Sequence, residues 1–178
     1  MLLNARKMVF AGMTLAVSCI LLILGGVIET STMFFLVAGA FCIGIVIREF
    51  GLKAGAAFLA ASLLLGVLIA PNKLYVLTYG MMELYLFLRE LLWEIMNRKG
   101  DVRRILYTIG KFVIFQPLYL SVVFLMPELI YAGELRWYIY LLMIVAGEIL
   151  WLVADVAYDV FQRQIWSRVR RQFDWMQD

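Results

Sequence analysis

The run MVFAGMTLAVSCILLILGGVI, from Met8 to Ile28, carries neither a charge nor a proline. At 1.5 Å of rise per residue, about 20 helical residues cross a hydrocarbon core of roughly 30 Å, and this run has that length. Arg6 and Lys7 give it a basic start, as in a secretory signal. The run is longer than a signal core, however, and Ile28-Glu29-Thr30-Ser31 offers no small-x-small cleavage site. A retained transmembrane helix is expected.

Five comparable runs follow, predicting further helices at about 33–47, 54–70, 74–95, 105–126 and 137–158. The second and third look short and are expected to borrow residues from their flanks. Composition agrees with this reading. The chain is 65% hydrophobic and 16% charged, with a mean hydropathy of +0.91. A soluble domain of this size cannot hide so much apolar surface in one core, whereas lipid solvates it. The expected class is therefore all-α: one transmembrane domain spanning 1–178, a polytopic bundle of about six helices.

The breaks between runs have local causes. Glu29 to Thr32 supplies cap residues ahead of the second helix. Arg48-Glu49-Phe50-Gly51-Leu52-Lys53 reads as a charged turn, Pro71-Asn72-Lys73 stops the third helix, and Pro127 ends the fifth. Lys and Arg mark sides. Arg6, Lys7, Arg48, Lys53, Arg98, Lys99, Arg103, Arg104, Arg163, Arg168, Arg170 and Arg171 fall on one side, and Lys73 and Arg136 on the other. Cytoplasmic loops carry the excess of positive charge, so both termini are expected in the cytoplasm of a cell-membrane protein.

Residues 160–176 differ in character. Phe161, Ile165, Val169 and Phe173 step by four and form one helical stripe, with the arginines largely off it. This pattern predicts an amphipathic helix on the cytoplasmic leaflet, with Trp166 and Trp175 at headgroup depth.

Chemistry is sparse. The chain has no histidine, and its two cysteines, Cys19 and Cys42, lie in apolar runs, so buried free thiols are expected. No metal centre and no cofactor are expected. There is no Walker loop, no G-x-S-x-G and no H-E-x-x-H, so the chain does not read as an enzyme and any ATP-driven role needs a partner. The net charge of +3 reflects loop distribution and gives no reason to expect nucleic acid.

Polar groups within spans carry more information, because they are costly there. Glu83 and Glu148 each lie roughly 13 Å into helices that run the same way, with Gln116 at comparable depth. Asn72, Tyr79, Glu83, Gln116, Tyr119 and Glu148 can line an outward-facing pocket among the last three helices, beneath an aromatic belt that includes Tyr138. Two carboxylates there favour a substrate with donors or positive charge, unless burial keeps one protonated. A structural network is the rival reading. Deeper toward the cytoplasm lie Arg89, Glu90, Glu94, Lys111, Asp155 and Asp159, expected to pair structurally, with Glu90 or Glu94 as partners for Lys111. Small residues on the first helix, Ala11, Gly12 and Ala16, allow close approach of another helix. Gly55, Ala56, Ala57, Ala60, Ala61 and Gly66 on the third suit packing inside the bundle.

Several stretches resemble a known family. They are Phe10-Ala11-Gly12-Met13-Thr14-Leu15-Ala16-Val17, Gly44 through Gly55, Ser62-Leu63-Leu64, Pro71-Asn72-Lys73, Tyr79-Gly80 and Lys111-Phe112. Together they resemble an S component, the substrate-capturing membrane subunit of an energy-coupling-factor (ECF) transporter. The sequence departs from that pattern at Gly80-Met81-Met82-Glu83-Leu84-Tyr85 and around Glu29, and its last helix and basic tail match nothing in it. The resemblance implies capture of a vitamin or other micronutrient from outside. It also implies a transmembrane coupling subunit, two cytosolic ATPases, and docking through Ala11, Gly12 and Ala16. A non-transporting scaffold of envelope assembly is the alternative.

Overall fold

The computed structural model describes residues 5–98, 104–125, 137–166 and 168. Among these the chain forms six long helices: α1 (Ala5–Val27), α2 (Thr32–Phe50), α3 (Leu52–Ile69), α4 (Lys73–Arg98), α5 (Arg104–Leu125) and α6 (Trp137–Val160). A 3-10 turn, Glu29–Ser31, precedes α2, and a π-helical turn, Phe161–Trp166, continues α6. The expected all-α membrane bundle is what forms.

Five of the six helices are long and apolar enough to cross a membrane, α4 being the exception. Its charges explain the difference. Glu83, Arg89 and Glu90 are 0%, 1% and 5% exposed, while Leu68 on α3 is 78% exposed. Polar groups turn inward and large apolar side chains turn outward, as a lipid surround demands.

The core is built on α2. Every residue from Gly39 to Ile47 is buried, so this helix is apolar all round and is surrounded by neighbours. It packs on α1, α3 and α4; α3 also packs on α4, α5 leans on α4, and α6 leans on α5. Glycines set the close contacts. A Cβ at Gly55 would overlap Ile47, and one at Gly44 would overlap the Tyr158 hydroxyl.

The helix breaks refine the expected ones. Ser31 precedes α2 without a side-chain cap; instead the 3-10 turn leads in, and Thr32 Oγ1 bonds back to the Ile28 carbonyl at 3.4 Å. The charged turn at 48–53 shrinks to one residue. Arg48 and Glu49 complete α2, Leu52 and Lys53 begin α3, and only Gly51, at φ +85°, breaks the helix. That left-handed conformation suits glycine alone. Ala70 is extended before Pro71, whose ring disfavours a helical predecessor, so α3 ends there.

The C-terminal stripe changes at its start. The π turn widens the helix, and Gln162 and Trp166 face the bundle, 4% and 7% exposed. Trp166 Nε1 donates to Glu49 Oε1 at 2.9 Å, and its ring lies 5.7 Å from that of Phe10. Trp166 is thus a packing residue that ties the end of α6 to α1 and α2, not a headgroup anchor. The expected positions Val169, Phe173 and Trp175 lie outside the described residues.

Candidate functional site

The six residues expected to share one pocket divide into three places. Tyr79 and Glu83 form the first. One helical turn apart on α4, they face α1, α2 and α3, and both are buried. The Tyr79 hydroxyl is 2.5 Å from Glu83 Oε1 and 2.5 Å from Ser18 Oγ on α1. Ser62 Oγ on α3 is 2.5 Å from Glu83 Oε2 and 3.0 Å from the Leu59 carbonyl. Ser18 Oγ donates to the Gly39 carbonyl of α2 at 2.9 Å. One carboxyl and three hydroxyls thus join four helices in a closed polar knot.

Gln116 and Glu148 form the second. They lie on α5 and α6, hydrogen-bonded to each other and half-buried. Tyr119, one turn from Phe115 on α5, donates to the Met143 carbonyl of α6 at 2.7 Å. Phe115 stacks on Tyr119 at 5.2 Å and on Trp151 at 5.3 Å, so an aromatic column stands beside the Gln116–Glu148 pair. Pro117 follows Gln116 inside α5, where a missing N–H leaves a backbone carbonyl one turn back without its usual donor. Asn72 is the third place. Its Oδ1 accepts the Leu74 N–H at 2.9 Å, and it serves as a cap for α4.

The deeper charges pair as a network, but with different partners from those expected for Lys111. Arg89 contacts Asp155 at 3.1 Å and Asp159 at 2.5 Å, and its guanidinium lies 4.4 Å from the centre of the Tyr158 ring. Lys111 bonds Asp155, rather than Glu90 or Glu94. Glu90 instead takes Arg48 at 2.8 Å and the Tyr158 hydroxyl at 2.7 Å, while Glu94 takes Arg98. Tyr85 links the network to the aromatic column: it donates to Asp155 at 3.3 Å and accepts from Trp151 Nε1 at 2.8 Å. Apart from the exposed Arg98–Glu94 pair, three cations (Arg48, Arg89, Lys111) and three carboxylates (Glu90, Asp155, Asp159) therefore balance across α2, α4, α5 and α6, which is how buried charge is tolerated.

No match to this chain is found among known protein families, curated proteins or solved structures.

Sequence reasoning missed Ser18, Ser62, Tyr85, Trp151 and Tyr158 as members of these networks. Ser18 and Ser62 carried a signal, being hydroxyls in the middle of apolar runs. The tyrosines did not, because interfacial and buried tyrosines look alike in sequence. On α1 the small residues face outward: Gly12 and Ala16 are exposed and Ala11 half-buried, and a Cβ built on Gly12 meets nothing within 4 Å among the described residues. Of the small residues expected to pack from α3, only Gly55 and Gly66 are buried, while Ala56, Ala57 and Ala60 are exposed and Ala61 is half-buried. The thiols of Cys19 and Cys42 are free, half-buried and buried respectively. Among the described residues no group of metal-ligating side chains occurs.

A lipid-facing groove of about 440 Å³ runs between α3 and α4, lined by apolar side chains such as Leu63, Val76 and Met81, with Lys73 also on its wall. Two carbonyls at the end of α3, Val67 and Ala70, accept from the Lys73 ammonium.

Proposed function

We propose that the chain is the substrate-capturing subunit of an ECF-type importer for a vitamin or other small micronutrient. It would sit in the cell membrane with both termini in the cytoplasm, and a coupling subunit and ATPases would come from partners. The observation that carries this reading is the Gln116–Glu148 pair. It offers an amide and a carboxylate at mid-span, half-buried and flanked by an aromatic column, while every deeper charge already has an opposite partner. A few convergent polar groups against an aromatic wall are what a small-molecule site needs. The proposed site is therefore Gln116, Tyr119 and Glu148. Tyr79 and Glu83, closed into their own knot, are left out of it, and Asn72 is left as a cap. Glu148 would accept from a donor-bearing or cationic group of the substrate, and Gln116 would give that group a second contact.

The exposed Gly12 and Ala16 support a docking face on α1 for the coupling subunit, because among the described residues no side chain fills the space above Gly12. The test is affinity purification of the tagged protein from native membranes. A transmembrane subunit and two nucleotide-binding proteins should accompany it, and Gly12→Leu should lose them without loss of the purified chain. Recovery without any ATPase would reject the assignment.

A second reading, a non-transporting scaffold of envelope assembly, is favoured by one observation. The Glu83 knot fills the junction of α1 to α4 with interlocked side chains, as a rigid support would. In that case the companions in the same purification would be envelope-assembly proteins instead of ATPases.

A further inference from the structure

We infer that Glu83 is a proton-binding site in the membrane-embedded core, its carboxyl held neutral by a proton shared along Glu83, Tyr79 and Ser18. This stands apart from the importer reading and uses none of its proposed site residues.

Burial and charge come first. Glu83 is fully buried. Glu83 contacts Ser62 from α3 and Tyr79 from α4, Tyr79 leads on to Ser18 of α1 and the Gly39 carbonyl of α2, and the nearby titratable groups of α1 and α2 are the thiols Cys19 and Cys42. Among the described residues none of these groups is a cation. Arg89, the next charge along α4, is under two turns away and paired with Asp155 and Asp159. An ionised carboxylate here would be a buried charge without a counter-charge, a costly arrangement in hydrocarbon.

A proton count points the same way. Five oxygen pairs lie within hydrogen-bond distance: Ser18 with Gly39, Ser18 with Tyr79, Tyr79 with Glu83, Ser62 with Glu83, and Ser62 with Leu59. With Glu83 ionised, only the three hydroxyl protons are present. Tyr79 and Ser62 then give theirs to the carboxylate, and Ser18 can serve either Tyr79 or Gly39. One of those two pairs is left as bare oxygens facing each other. A proton on Oε1 turns the chain round. Glu83 donates to Tyr79, Tyr79 to Ser18 and Ser18 to the Gly39 carbonyl, while Ser62 donates to Oε2. Four of the five pairs then hold a proton, including all three at 2.5 Å. Chains of this kind strengthen one another in low-dielectric surroundings.

Infrared spectroscopy of the protein in lipid nanodiscs at neutral pH tests this. The carbonyl stretch of a protonated carboxyl should be present in the wild type and absent from Glu83→Gln. It should shift in frequency in Tyr79→Phe, which removes the acceptor oxygen. If Glu83→Gln instead removes a carboxylate stretch and leaves the protonated band intact, the inference is overturned. Should Glu83→Gln fail to fold, Tyr79→Phe and Ser62→Ala decide the matter alone, and an unshifted band in both overturns it.

Discussion

Tyr119 lies across Gly147. A Cβ added to that glycine would overlap the phenol Cζ severely, while the Tyr119 hydroxyl reaches the Met143 carbonyl one turn earlier on α6 at 2.7 Å. This contact sets the spacing of α5 and α6 next to the Gln116–Glu148 pair. Gly147→Ala should push the helices apart and cost about 1–3 kcal/mol, the usual range for overpacking. Thermal unfolding in detergent measures it. Gly12→Ala, whose Cβ clashes with none of the described residues, is the matching control and should not lower the melting temperature.

The charge network makes a larger forecast. Arg89 is 1% exposed and serves Asp155, Asp159 and Tyr107. Arg89→Met should destabilise the protein by about 1–3 kcal/mol, because Asp159, half-buried, loses its cation and Asp155 is left with Lys111 alone. Combining it with Asp159→Leu should recover part of that loss, since the surplus charge goes too. Equal stability of the single variant and the wild type would show that the network carries no weight.

Topology is open to cysteine labelling in a background without Cys19 and Cys42. With cytoplasmic termini, reagents added from outside should reach single cysteines placed at Thr30, Lys73 or Glu134, and should not reach Arg98 or Gln172. Labelling at Arg98 from outside contradicts the six-span arrangement.

The α1 face calls for a different measurement. Gly12→Leu and Ala16→Leu should fold normally, because both positions are exposed. Each should reduce recovery of membrane partners at least several-fold if another helix packs there. Unchanged recovery in both variants would remove α1 from the interface.

Much of the fold was legible because lipid imposes length and hydropathy on each span. Each expected helix forms within a few residues of its place, and Gly51 and Pro71 end helices for reasons that a sequence displays. The site was less legible. Glu83 and Glu148 do share a depth class in sequence, but depth says nothing about azimuth. Glu83 turns toward α1 and α3, whereas Glu148 turns toward α5, and so one expected pocket became two separate places. Lys111 was misassigned for a similar reason. Its partner Asp155 lies on α6, and no spacing along the chain indicates which helices become neighbours. Trp166 was expected at headgroup depth because nothing along the chain shows that Glu49 and Phe10 lie beside it, where it packs in the π turn.

The proposed small-molecule site at Gln116, Tyr119 and Glu148 is open to native mass spectrometry of protein purified in mild detergent. One non-lipid small molecule should be bound per chain, with amine, amide or other donor groups, and it should be lost in Glu148→Gln while the variant remains folded. A wild-type spectrum with lipid adducts alone, or a ligand retained unchanged in Glu148→Gln, would rule the site out.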